Sequence, residues 1–455
     1  MSFLKAMIVL WSFCAAQSWA NIHTHKFRNG LDLVIYPSSK VPLVTIVLAV
    51  KAGGFTETPE TNGLTHLWEH MFFKGNQSLP NQEKFNQRVQ ELGIVFNGDT
   101  AAEKVRYYFT LPSSHLEEGL SFMYHAIASP LLEQKELERE RQVVLDEYDR
   151  NASQTSFTIN RLKKRVIYGS LHYLRDPLGE RGIIEKASRE QLLAMKDEVF
   201  VPKNAAILVS GHLDPQATIK AVEEIFKKWQ NPKDWKPPSP PKFPEFPKDK
   251  PTIIDIHPQA KTPMVQYVFQ GPRARIDVQD TYAADVLISL LNLRSGKFYQ
   301  EFIDSGMTNY AALGYYTQAQ AGELSLTCTA SVKMFSKARD ALIQAPTLWR
   351  EKTFFTLKEL NTVQRSLKLA RLFEVNRPSE YIKSLGFWWA ITGMEYYQDY
   401  LSKLTQVTLA EVRNFVDKYL YKKPFVTSIL LSPKDAKTLK IEPNSQDLLK
   451  KLGGS

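Results

Sequence analysis

A chain of 455 residues, 43% hydrophobic and 23% charged, is long enough for two or three domains and apolar enough for a sizeable core, which excludes global disorder. Its formal charge of +10 is spread along the chain with no zinc-finger or RNP signature beside it, so the charge reads as solubility and not as nucleic-acid binding. Two cysteines exclude a disulfide framework.

Residues 1–20, "MSFLKAMIVLWSFCAAQSWA", carry one early cation at Lys5, an apolar run from Ala6 to about Ala16, and a small-residue end at Ser18-Trp19-Ala20. That order is the pattern of a secretory signal peptide cleaved after Ala20, and it predicts a secreted protein of the bacterial periplasm. The run is too short to span a bilayer, and no later segment is apolar for long enough, so no integral membrane segment is expected. Cleavage removes Cys14 and leaves Cys328 alone, so the fold must rest on its core.

The stretch "LDLVIYPSSKVPLVTIVLAVKAGG", residues 31–54, reads as strand, proline-containing turn and second strand, the pattern of a hairpin. A helix follows over "TNGLTHLWEHMFFKG", residues 61–75, with Asn62 as its cap and Gly75 as its end. His66 and His70 stand four apart on it and share a face, with Glu69 beside them. On these residues alone the run is either a core helix with polar members or part of a metal site, because two imidazoles can bind one Zn²⁺ but a third protein ligand is needed. Downstream, "ELERERQVVLDEYDR" at 136–150 forms a helix that puts Glu140 and Glu147 on one face, two turns apart, near Leu137 and Val144. A carboxylate on that buried side needs a partner, and a metal ion is a sufficient one.

The capping box Ser188–Gln191 opens a helix that leads to the strand in "NAAILVSG". Residues 231–251 then hold eight of the chain's 25 prolines, which predicts an extended, semi-rigid linker. Beyond it the plan repeats. "TIIDIHPQAKTPMVQYVFQGPRAR" at 252–275 is a second strand–turn–strand, and a capping box at Thr408–Glu411 again opens a helix followed by an apolar strand. Matches at both ends in the same order argue for duplication. The expected fold is α+β, with two homologous domains at 21–230 and 252–435, each a mainly antiparallel sheet packed with helices. The lysine-rich tail at 436–455 is expected to fray.

"GGFTETPETNGLTHLWEHMFFKGN" resembles the zinc-binding segment of the pitrilysin/insulinase (M16) family of metallopeptidases, the inverzincins. "FNGDTAAEKVRYYF" at 96–109 resembles that family's strand beside the active site, and "VPKNAAILVSGHLD" the close of its first domain. The resemblance covers essentially the whole mature chain and implies a LuxS/M16-like metalloenzyme fold. It implies that His66, His70 and Glu147 ligate Zn²⁺, that Glu69 is the general base, that Glu140 orients a ligand, and that Asn97 holds substrate backbone. The implied substrate is a peptide or unfolded segment bound as an added strand. The length is similar to the half-size branch, such as the beta-type subunits of mitochondrial processing peptidase, whose chains pair around a chamber. There the far half supplies an arginine and a tyrosine. Tyr310 falls at the tyrosine's position, but Ile303 falls where the arginine belongs, and isoleucine cannot stabilise an oxyanion. The implied partner is a second M16-type subunit bearing the arginine, or a second copy in a homodimer. A non-catalytic scaffold subunit of the same fold is the competing reading.

Overall fold

The computed structural model describes residues 22–38, 40–169, 177–239 and 245–452. The expected signal peptide lies outside them. The chain forms two compact units. The described part of unit 1 is 22–146 without residue 39, then 177–239 and Arg371–Gln398; unit 2 takes Glu147 to residue 169, then 245–370 and 399–452. Its helices include α1 (Leu64–Phe72), α2 (Gln134–Ala152), α3 (Phe157–Tyr168), α4 (Arg189–Val199), α5 (Pro378–Ile391) and α6 (Leu409–Tyr419).

Unit 1 is built on a six-stranded sheet of β1 (His23–Lys26), β2 (Asp32–Pro37), β3 (Leu43–Val50), β4 (Val95–Thr100), β5 (Val105–Pro112) and β6 (Ala205–Gly211), in the order β1-β2-β6-β3-β5-β4. Only β2 and β6 run parallel; every other neighbouring pair is antiparallel. The near-continuous apolar runs of β2, β3 and β6 follow from burial on both faces. Leu33, Ile35, Ile46, Leu48, Ile207 and Val209 pack into the core that holds Leu67, Trp68, Met71 and Phe72 of α1. The alternate residues Val34, Val47, Ala49, Ala206 and Leu208 face Tyr381, Ile382, Leu385 and Trp389 of α5, which returns from the far end of the sequence to cover the second face.

Unit 2 is built on β7 (Thr252–Ile256), β8 (Met264–Gly271), β9 (Tyr310–Tyr316), β10 (Gly322–Thr329) and β11 (Val426–Leu431), in the order β7-β11-β8-β10-β9. This repeats β2-β6-β3-β5-β4 strand for strand, including the single parallel pair, β7 with β11. Duplication is therefore present in the topology. Helix α3 packs on β7 and β11, with Lys163 Nζ donating to Gln266 Oε1 at 2.9 Å.

Both capping boxes form, at Ser188–Gln191 before α4 and at Thr408–Glu411 before α6. The two hairpins do not. β6 lies between β2 and β3, and β11 between β7 and β8. Each returning apolar strand is buried along its length, so the centre of the sheet is its place and the consecutive strands are spread apart around it. Of the linker, the part up to Ser239 lies with unit 1, where the Trp235 indole N–H donates to the Glu198 carbonyl at 2.7 Å. The tail expected to fray is helical over Pro433–Leu439 and Ser445–Lys451. Asn444 bridges the backbone of Thr252 and Ile254 on β7, and the Ser445 hydroxyl donates to Asp255 at 2.8 Å, which ties the segment down.

Candidate metal centre

Helix α1 begins at a backbone position that glycine suits, Gly63 at φ 103°. A Cβ there would also stand 2.8 Å from the Cα of Gly179. Asn62 does not cap the helix. The Glu57 carboxylate accepts from Asn62 Nδ2 at 2.8 Å, from the Gly63 N–H at 3.0 Å and from the Thr65 N–H at 2.9 Å. An anion suits the positive end of a helix and reaches donors that Asn62, itself one of Glu57's donors, does not satisfy. The apolar members of α1 sink into the core, and Glu69 and His70 remain half-buried.

His66, His70 and Glu147 come together: each offers a ligand atom, and these atoms lie within 4.8 Å of one another. The imidazole rings are 4.8 Å apart at 82°. Helix α2 runs unbroken through the division between the units, which falls just before Glu147. Burial, reinforced by the neighbouring His70, pushes the His66 pKa down to about 3, so its imidazole is neutral and keeps a lone pair to donate. Two imidazoles and a carboxylate at this separation fit a metal ion.

Glu140 is 5% exposed, between Leu137 and Val144, both wholly buried. Its partners are protein groups. His70 Nδ1 lies 3.2 Å from one carboxylate oxygen and Lys74 Nζ 2.7 Å from the other. Burial opposes ionisation, but the hydrogen bonds from His70 and Lys74 outweigh it and hold the carboxyl below its ordinary range. A proton on Nδ1 shared with Glu140 leaves Nε2 of His70 to face a metal.

The carboxylate of Glu69 meets β4. The Thr100 hydroxyl donates to Oε2 at 2.8 Å, and Gly98 lies against the rest of the side chain. Asn97 occupies β4 as well, but its side chain is exposed, accepts from the Gly98 N–H at 2.9 Å, and by strand alternation faces away from Gly98 and Thr100. In unit 2, Tyr310 stands 53% exposed at the start of the edge strand β9, and Ile303 is half-buried in a π-helical turn over Gln300–Asp304. Sequence reasoning missed Glu57, Lys74, Gly98 and Thr100. A glycine inside a strand is a signal of close approach, and it was available in "FNGDT".

The fold is a duplicated α+β sheet fold whose His–X–X–Glu–His helix lies against a distant glutamate, a group of side chains that could hold a metal ion. Residues 33–168 match the family model described as insulinase (peptidase family M16), and residues 186–367 match that of the peptidase M16 inactive domain. The chain belongs to the M16 peptidase family. It is 26% identical over 232 residues to the zinc protease PqqE of Helicobacter pylori, a match covering 50% of this chain and 51% of that one. The chain spans about half the length of the curated relatives it matches. Its fold is similar to the crystal structure of a protease from Helicobacter pylori (TM-score 0.82, 19% identity, 90% of this chain and 99% of that one). It is also similar to the periplasmic protease PqqL from Escherichia coli (TM-score 0.76, 17% identity, 96% of this chain and 50% of that one).

Proposed function

We propose that the chain is a zinc-dependent endopeptidase that hydrolyses peptide bonds in peptides or unfolded segments. The observation that carries the reading is the grouping of His66, His70 and Glu147 within 4.8 Å, with Glu69 one residue before His70. Zinc held by these three supplies a Lewis acid for the peptide carbonyl and lowers the pKa of water. Glu140 holds His70 in register for that role. Glu69 takes the proton from the attacking water and passes it to the leaving amine. Among the described residues strand β4 pairs with β5 alone and offers its other edge, along which an extended substrate adds as a further strand with Asn97 on its backbone.

Ile303 supports a requirement for a second chain. An arginine brought by a partner M16-type subunit, or its replacement by another group in a homodimer, completes a chamber in which Tyr310 faces substrate. PqqL, matched over half its length by this chain, supports a working body made of two such chains. The signal pattern of residues 1–20 and the periplasmic description of PqqL support export to the periplasm. The same Ile303 favours one second reading, a non-catalytic partner subunit.

Two measurements separate them. The zinc-loaded mature chain is assayed on a quenched-peptide library with a chelator control, and Glu69→Gln is assayed beside it. Chelator-sensitive cleavage that Glu69→Gln lowers by about 10²–10⁴-fold, with zinc still bound, is the expected result. Unchanged turnover in that variant sinks the role of Glu69. No cleavage by the folded, zinc-loaded chain, alone or mixed with an arginine-bearing M16 partner, leaves the scaffold reading.

A further inference from the structure

Glu69 reaches its position from a helix, and two residues of a strand, Thr100 and Gly98, meet its side chain. A glutamate side chain has three rotatable bonds and, unless held, spreads over many rotamers. Helix α1 fixes only its Cα and Cβ. The Thr100 hydroxyl then holds Oε2 at 2.8 Å. Gly98, two residues earlier and on the same face of β4, leaves the space in which the side chain lies. A Cβ at residue 98 would stand 2.6 Å from Oε1, 2.9 Å from Cγ and 3.0 Å from Cδ. The glycine is in ordinary strand backbone, so the requirement is for space and not for a left-handed conformation.

We propose that Thr100 and Gly98 are positioning residues for the base, acting together to select one rotamer of Glu69. The inference rests on the reading of Glu69 as base. Its physical content is that a carboxylate about 1 Å out of place loses much of its rate advantage even when the fold and the metal are intact. Thr100 supplies attraction and Gly98 supplies room, so the two substitutions fail for different reasons. Thr100→Val keeps shape and strand preference but removes the donor. Gly98→Ala keeps the donor but occupies the space. The group Gly98→Ala displaces is the end of a flexible side chain, so the cost to the fold is small while the carboxylate must move.

The test uses the full zinc-loaded chain and its Thr100→Val, Thr100→Ser, Gly98→Ala and Glu69→Gln variants. Three readouts are taken: steady-state kinetics, zinc content, and crystal structures that locate residue 69. The expected result for Thr100→Val is a kcat lowered roughly 10- to 100-fold with KM and zinc content unchanged. Thr100→Ser recovers most of that loss. Gly98→Ala loses turnover with an unchanged urea midpoint and with the Glu69 carboxylate displaced. Wild-type kcat in Thr100→Val overturns the proposal, and so does a Glu69 carboxylate unmoved in both crystal structures. Equal losses in Thr100→Val and Thr100→Ser, or loss of zinc with either, assign these residues a structural role instead. Full turnover in Glu69→Gln sinks the base reading, while the crystal structures still decide whether β4 holds residue 69.

Discussion

Glu140 shows how far a single buried carboxylate can organise its surroundings, with His70 on one oxygen and Lys74 on the other. Glu140→Gln keeps the volume, weakens the hold on the His70 ring and leaves Lys74 without its counter-charge. Zinc affinity should fall about 10- to 100-fold, read by competition with a chromophoric chelator. His66 sets a second expectation, for the metal-free protein. Its pKa falls from 6.5 in the unfolded chain to about 3 when folded, so the folded state binds fewer protons between those values. The stability linked to neutral His66 is complete above pH 6.5 and is lost as pH falls toward 3, at up to about 1.4 kcal/mol per pH unit. Urea midpoints of chelator-treated protein at pH 7 and pH 5 should diverge more in the wild type than in His66→Leu; equal divergence would count against the assignment. At this scale the sequence was readable wherever spacing on a helix carries the information. Helical spacing puts His66 with His70 on one face and Glu140 with Glu147 on another, while the meeting of the two helices was expected only from the family resemblance. Thr100 and Gly98 touch Glu69 across a helix–strand contact, which leaves no periodic trace.

Elements were legible by their ends more than by their neighbours. Ser188 and Thr408 each precede a Gln or Glu three residues on, and both boxes close as read. Replacing either by Ala should cost about 1 kcal/mol in a denaturant titration. The cap of α1 was not legible, because Glu57 lies outside the helix it serves and reaches it through the fold of an intervening turn. Glu57→Ala leaves the Gly63 and Thr65 amides without their acceptor, and a loss of about 1–3 kcal/mol is expected from urea unfolding of the apoprotein. A loss near zero would mean that water replaces the carboxylate. Pairing of β2 with β3 was also misread. Adjacency along the chain favours a hairpin, but the all-apolar β6 gains more from a central place than β2 and β3 gain from meeting.

For the whole molecule, the linker of 231–251 marks only one of the places where the chain changes unit; others fall at Asp146–Glu147 and at Ala370–Arg371. No local pattern announces these, because an amphipathic helix such as α5 does not encode which sheet it will cover. Tyr381, Ile382, Leu385 and Trp389 are at most 5% exposed against β2, β3 and β6, and burial of such side chains is worth about 1.5–3 kcal/mol each. A fragment of residues 22–236 should therefore bind a hydrophobic dye and self-associate on size exclusion, while the full chain does neither; a monomeric, dye-silent fragment would show that the second face of the sheet tolerates water. The same arrangement sets an order of events during synthesis. All six described strands of unit 1 are complete by Gly211, yet its covering helix is not made until residue 391. At ribosomal speeds the interval is about 10–30 s, during which a nearly finished sheet waits with one greasy side open. A chaperone that binds extended apolar segments during that interval should therefore raise the soluble yield of the full chain, read by comparing expression with and without it.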